Sequence, residues 1–201
     1  MRITTFFVLG GLALGLTGCV RVAMPDLSAY LPGTALPAMR WDQRPEAAEW
    51  TTRSLVAVAA HDDVLASKIP ADIETWCPGY SSAPFPARRA FWAGLLSAVA
   101  KYESSWNPRA SGGGGRYIGI MQISPGTASN HGCAATSSAA LKDGGANLEC
   151  AVKILAYQIE RDGVVAGKGN RGIGRDWMPL RKSAKRSEMA EWTRKQAYCA
   201  R

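Results

Sequence analysis

A carboxylate at the end of an apolar helix constrains this chain more than any other feature. The stretch from Val99 to Pro125 reads VAKYESSWNPRASGGGGRYIGIMQISP, and Glu103 stands where the helical pattern before it gives out. Counting back from Glu103 at helical spacing gives Val99, Leu96 and Trp92, so one stripe carries large apolar residues and an acid together. Phe91, Leu95, Ala98 and Tyr102 form a second stripe beside it. The helix that begins at Pro86 is therefore apolar over more than half its circumference and belongs in the middle of a domain. Burying an unpaired carboxylate is costly. Keeping its proton near neutral pH avoids that cost and makes the group a general acid.

The rest of the chain reads as helices around that centre. Pro45 is placed to open a helix that runs through Ala60, and the polar His61-Asp62-Asp63 ends it without enough neighbouring ligands for a metal. Ile69 to Pro86 is proline-rich and reads as an extended connection pinned at Cys77. Asn107-Pro108 is the expected stop of the central helix. Ser111 to Arg116 is a glycine-rich loop that lacks the strand and the Gly-Lys-Ser/Thr ending of a phosphate cradle. Tyr117 to Ile123 suits a short strand or a buried turn equally. Pro125 starts another helix, and Asn147 is placed to cap a strong one that runs to about Glu160. Beyond a loop at Gly163–Gly174 and an apolar knot at Trp177–Leu180, Met189, Trp192, Gln196 and Cys199 recur at helical spacing in a last helix. Strands are few, so the expected fold is mainly α, a single α+β domain over residues 45–201.

The first residues point outside the cytoplasm. Arg2 precedes an apolar run from Ile3 to Leu16 that is too short for a stable span and resembles a secretory h-region. Leu16-Thr17-Gly18-Cys19 resembles a bacterial lipobox, which makes 1–18 a lipoprotein signal peptide and Cys19 the lipidated first residue of the mature chain. A plain signal peptide cut nearby is the alternative. Val20 after that cysteine leans toward the outer membrane, and the proline-containing 19–44 reads as a tether. Setting Cys19 aside leaves an even set, Cys77, Cys133, Cys150 and Cys199. Two disulfides suit an exported domain, and of the three pairings the favoured one joins Cys133 to Cys150 and Cys77 to Cys199. A structural zinc has no Cys-x-x-Cys spacing to support it, and no cofactor is expected. The formal charge is +8, with most of the excess from Arg161 to Arg201. That implies either an acidic partner, such as anionic lipid or a cell-wall polymer, or a plain solvated basic face. Export excludes nucleic acid.

Paired carboxylates are the usual mark of glycoside hydrolysis, yet no second acid follows Glu103 before Asp143. There is no Gly-x-Ser-x-Gly elbow, and two histidines leave little room for a Ser-His-Asp triad. A reaction run by one carboxyl group needs the substrate to supply the rest. Glu103-Ser104-Ser105-Trp106-Asn107-Pro108, Gly119-Ile120-Met121-Gln122-Ile123 and Pro125-Gly126-Thr127-Ala128 resemble the signature of the lytic transglycosylases of the soluble, SLT-domain type. Asn147-Leu148 with the helix after it is similar to that family's third segment, and the resemblance covers Ala87 to Glu160.

The resemblance implies a lysozyme-like fold and cleavage of the β-1,4 bond between N-acetylmuramic acid and N-acetylglucosamine in peptidoglycan. It makes Glu103 the acid that protonates the leaving oxygen and then the base that deprotonates the muramoyl 6-hydroxyl, giving 1,6-anhydro ends. That role needs a carboxyl raised by about 2 to 3 units. By the same resemblance Ser111 contacts the acetamido group, Met121 and Gln122 line the glycan groove, and Asn147 borders the cleft or orients Glu103. A core methionine and a helix cap are the bland alternatives for Met121 and Asn147. The family's Ala-Tyr-Asn-Ala-Gly segment is absent, Tyr157 lies in a different helix pattern, and Trp177 or another aromatic is left to replace that tyrosine. Two other functions stay open: a goose-type muramidase in which water attacks, and a non-catalytic peptidoglycan-binding lipoprotein.

Overall fold

The computed structural model describes residues 35–201. The signal-peptide stretch, Cys19 and most of the tether lie outside the described residues. Among those described, the chain forms helices α1 (Ala47–Ala59), α2 (Asp62–Leu65), α3 (Ile73–Trp76) and α4 (Phe85–Ser104). A hairpin of β1 (Ser111–Gly112) and β2 (Tyr117–Ile118) comes next, followed by α5 (Pro125–Asn130), α6 (Gly144–Asp162) and α7 (Ser183–Arg194). The strands pair antiparallel, Ser111 opposite Ile118 and Gly112 opposite Tyr117. This is the mainly helical α+β fold expected.

The central helix α4 takes the place its sequence demands. Pro86 sits in its first turn, where a missing amide proton costs nothing. Every residue from Arg89 to Ala100 is buried, with α1, α2 and α7 packed around it. Phe91 and Trp92 meet edge-to-face at 4.8 Å, and Tyr80 meets Phe91 at 5.5 Å. The indole N–H of Trp92 and the Tyr80 hydroxyl both donate to the Leu65 carbonyl, so the polar ends of these rings are satisfied in the core. Each such large side chain contributes about 1.5–3 kcal/mol through burial. Arg89 is the one charged residue in the buried run, and Asp62 of α2 accepts from its Nε at 2.9 Å. Asp62 of the His61-Asp62-Asp63 trio thus supplies a part-buried ion pair, and among the described residues no acid, histidine and cysteine cluster is arranged to hold a metal.

Both favoured disulfides form. Cys77–Cys199 ties the chain end to the segment before α4, and Cys133–Cys150 ties the loop after α5 to α6. Several boundaries differ from expectation. Residues 35–44 are built into the domain rather than ending a tether: Trp41 is buried against Trp50, its Nε1 donates to Thr51 at 2.9 Å, and Arg40 pairs with Glu188 of α7. Pro45 lies just outside α1, whose N-cap is Glu46. The stretch 69–86 is not simply extended but contains α3 and a 3-10 turn at Tyr80–Ser82. The last helix stops at Arg194, and Cys199 is reached through a separate 3-10 turn at Ala197–Cys199. The basic tail is largely engaged at home, since Arg175 pairs with Asp162 and Arg181 and Arg186 donate to the carbonyls of Gly174 and Leu180. Those bonds satisfy backbone in a segment too irregular to do so itself.

Candidate active site

The acid is delivered by the way α4 ends. Glu103 occupies its last turn, and the stop comes at Ser105 rather than at Asn107-Pro108: Ser105 and Trp106 both adopt left-handed backbone, with φ 52° and 59°. Trp106 folds back over the helix and its Nε1 donates to the Ser97 carbonyl at 2.9 Å. Ser104 donates to the Ile120 carbonyl at 2.8 Å, which fastens the end of the helix to the Gly-Ile-Met-Gln turn. Ser104 is therefore a fastening residue beside the acid.

That turn follows β2 and closes through an Ile118–Ile123 bridge. Its backbone is held from beneath by Asn147, which is fully buried. Asn147 Nδ2 donates to the carbonyls of Ile118 and Leu141 at 3.0 and 2.9 Å, and its Oδ1 accepts from the Met121 amide at 2.9 Å. Trp177 Nε1 donates to the Met121 carbonyl at 3.1 Å from the other side. Gly119 is required here: at φ 81°, a Cβ would lie 2.2 Å from the Leu141 carbonyl oxygen and 2.4 Å from Asn147 Nδ2. Thus Asn147 neither caps α6 nor lines the cleft; what it can orient is this turn, which Ser104 fastens to the helix that carries Glu103. The cap of α6 is Asp143, which accepts from the Ala146 amide at 2.7 Å, and Asn147 is an internal bracket for the turn. Met121 is likewise fully buried, a core methionine with no surface to offer a glycan.

Gln122 does reach the cleft. Its backbone is left-handed, at φ 51°, and its Nε2 donates to the Gly119 carbonyl at 2.8 Å. Its Oε1 lies 2.4 Å from where a Cβ on Gly112 would be, so any side chain at that position would displace the Gln122 amide. Glu103, Gly112, Gly113, Tyr117, Gln122, Asp176 and Met178 enclose a hollow of about 230 Å3. Ser111 precedes Gly112 on β1 and is exposed, and it is not among the residues that line this hollow. Trp177 is buried and cannot offer its face to a sugar. The exposed side chains at the cleft are Tyr117, Asp176 and Met178. Sequence reasoning missed all three, because nothing in their spacing ties them to Glu103.

The electrostatics single out the acid. Burial pushes the Glu103 carboxyl up to about 7, against the opposing pull of the Lys185 charge. Among the described residues no hydrogen bond reaches that carboxyl. Lys185 is held nearby, its Nζ 4.8 Å from the centre of the Tyr102 ring, while the Tyr102 hydroxyl donates to Glu188 at 2.8 Å. Burial also raises Asp176, although Gln158 donates to it at 2.7 Å. Of the cleft's two carboxyl groups, Glu103 is thus the one that no hydrogen bond among the described residues reaches, and it is half protonated near neutrality.

A family model described as Transglycosylase SLT domain matches residues 86–189, just over half of the chain. The fold also matches solved structures of Bd0314 DslA. The wild-type protein superposes with a TM-score of 0.73 at 27% identity, covering 83% of this chain and 100% of that one. A glutamate-to-glutamine variant of the same protein gives 0.74 at 28% identity with the same coverage. A search of the curated proteins returns no match.

Proposed function

The chain belongs to the transglycosylase SLT domain family, and from that premise we propose that it is a lytic transglycosylase of peptidoglycan with Glu103 as its acid and base. The observation that carries the reading is a carboxyl on the wall of a cleft, reached by no hydrogen bond among the described residues and raised to about 7. At neutral pH both of its protonation states are well populated, which suits a group that must give up a proton and then take one.

The protonated carboxyl donates to the glycosidic oxygen as the bond from that oxygen to C1 of the muramoyl residue breaks. Positive charge develops at C1, and the substrate's acetamido group stabilises it from the opposite face. The Glu103 carboxylate then accepts the proton of the 6-hydroxyl, whose oxygen bonds to C1 and closes a 1,6-anhydro ring. No water is consumed and the carboxyl is regenerated. Gln122 is placed to hydrogen-bond sugar, with its left-handed backbone held by the braced turn. Asn147, Trp177 and Ser104 act through the backbone that they hold and touch no substrate.

A second reading is favoured by Asp176, a further carboxyl lining the same cleft. It gives a water molecule somewhere to be activated, and the product is then a reducing end. Mass spectrometry of digested peptidoglycan separates the two: 1,6-anhydro ends support the transglycosylase, and reducing ends alone overturn it. Loss of all release in Glu103→Gln is expected in either case, and a protein that pellets with sacculi while releasing nothing is a binder. The lipobox-like Leu16–Cys19 run supports anchoring at Cys19 on the periplasmic face of the outer membrane. Cys19→Ser should then leave the membrane fraction.

A further inference from the structure

Residues 35–44 reach the end of α4 by two routes, and both start at Arg40. Its backbone amide donates to the Ser97 hydroxyl at 2.9 Å, and the carbonyl of that serine accepts from Trp106, which folds back just beyond Glu103. Its guanidinium lies along the carboxylate of Glu188 on α7: Nη1 donates to Oε2 at 2.8 Å, and Nη2 pairs with Oε1. The Arg40 side chain is only 12% exposed, and its guanidinium carbon lies 5.8 Å from the centre of the Trp192 ring. A planar fork held on two oxygens over an aromatic face admits one geometry, so Arg40 fixes the direction of Glu188.

Glu188 passes that direction on to α4. The Tyr102 hydroxyl donates to the same Oε2 at 2.8 Å, and Lys101 Nζ donates to Oε1 at 3.4 Å. The Arg40 bonds above all, with help from that hydroxyl, pull the Glu188 carboxyl down to about 2, so it is ionised at neutral pH. With its hydroxyl anchored, the Tyr102 ring carries Lys185 Nζ at 4.8 Å and Lys101 Nζ at 5.3 Å from its centre. Among the described residues Lys185 makes no ion pair. An exposed ammonium on a flexible four-carbon stem keeps one place only where a surface holds it, and this ring is such a surface. Tyr102 directly precedes Glu103 on α4, so the ammonium is kept beside the acid. The other ionisable groups near Glu103 are Asp176 and Tyr117 across the hollow, Lys101 and Tyr102 on its own helix, and Glu188 on α7. Lys185 is the charge that opposes the effect of burial on its carboxyl.

We propose that Arg40, Glu188 and Tyr102 are positioning residues for the acid: they hold the Lys185 ammonium against the last turn of α4, so that the docked segment 35–44 is part of the active site's support. None of the three lines the hollow at Glu103, and each acts through the next. This rests on the reading of Glu103 as acid and base.

The full chain, isotope-labelled at its glutamate carboxyls, reports Glu103 directly by NMR, its signal being the one lost in Glu103→Gln. Lys185→Ala should raise the titration midpoint of that carboxyl by about half a pH unit, because a nearby cation favours the ionised form. Tyr102→Phe leaves every charge in place, and Arg40→Met keeps an apolar stem over Trp192. Each should raise the midpoint in the same direction by a smaller amount. Added to Lys185→Ala, neither should raise it further, since the group they hold is gone. The alkaline limb of the kcat/KM profile should follow the same order. An unmoved midpoint in either single variant would overturn the inference. So would shifts that add in full to that of Lys185→Ala, which would mean that Arg40 and Tyr102 act on the carboxyl without Lys185. If Arg40→Met does not fold, Tyr102→Phe decides. Failure of the glycan-cleaving reading looks different: the native protein then releases nothing from sacculi, and the carboxyl titration still decides what Arg40 and Tyr102 position.

Discussion

Replacing Glu103 with glutamine should make the protein more stable, and only above a defined pH. The folded carboxyl titrates at about 7 against an ordinary value of 4.5. Below 4.5 it is protonated in both the folded and the unfolded chain, and the substitution changes little. Between 4.5 and 7 the unfolded chain loses that proton while the folded one keeps it, so native stability falls as pH rises. Above 7 the penalty is constant. The difference of 2.5 units corresponds to about 3 kcal/mol. Glu103 keeps some contact with solvent, which lowers the expected gain to about 2–3 kcal/mol. For a domain of this size that is a rise in Tm of about 4–10 °C. Urea unfolding of both proteins at about pH 4 and about pH 8 tests it, with glutamine expected to shift the midpoint at the higher pH alone. An equal gain at both, or a less stable variant at the higher pH, would refute the assignment of a desolvated carboxyl.

Lys185→Ala removes the cation that favours the Glu103 carboxylate. The alkaline limb of the kcat/KM profile should therefore move to higher pH, and a limb that stays put would show that another group sets it. Asn147→Ala strips three hydrogen bonds from a buried turn and should cost about 3 kcal/mol in chemical unfolding, with glycan cleavage falling through Gln122. Of the two disulfides, Cys77–Cys199 closes a separation of 122 residues and Cys133–Cys150 one of 17. Paired serine substitutions should cost about 5 and about 3 kcal/mol respectively if chain entropy dominates, as read by thermal unfolding.

The sequence made the central helix and its acid legible because a 3.6-residue period carries both in one window. Trp92, Leu96, Val99 and Glu103 declare their shared face without any knowledge of the partners. The disulfides were legible by parity and loop length. Features set by distant contacts were not. The stop of α4 depends on two left-handed residues, Ser105 and Trp106, that no rule for helix ends would choose over Asn107-Pro108. Asn147 looks like a cap because it stands near a helix start, yet its three partners belong to Ile118, Met121 and Leu141. The docking of residues 35–44 rests on Trp41 finding Trp50 and Arg40 finding Glu188. Asp176 reaches the cleft through a 3-10 segment with no periodicity to read.

These misses share a physical origin that bears on how the site works. A carboxyl raised to about 7 destabilises the fold at neutral pH, so the surroundings must hold it there without touching it. Any hydrogen bond given directly to the carboxylate would lower its pKa and weaken it as an acid. The restraint is therefore applied one step away: Ser104 holds the Ile120 carbonyl, Trp106 clamps Ser97, and Asn147 and Trp177 hold the two sides of Met121. Each is a bond from a side chain to a backbone group far along the chain, the kind that sequence spacing cannot reveal. On this view a direct donor placed beside Glu103 would stabilise the protein and slow it, whereas loosening the turn through Asn147 would weaken both stability and cleavage.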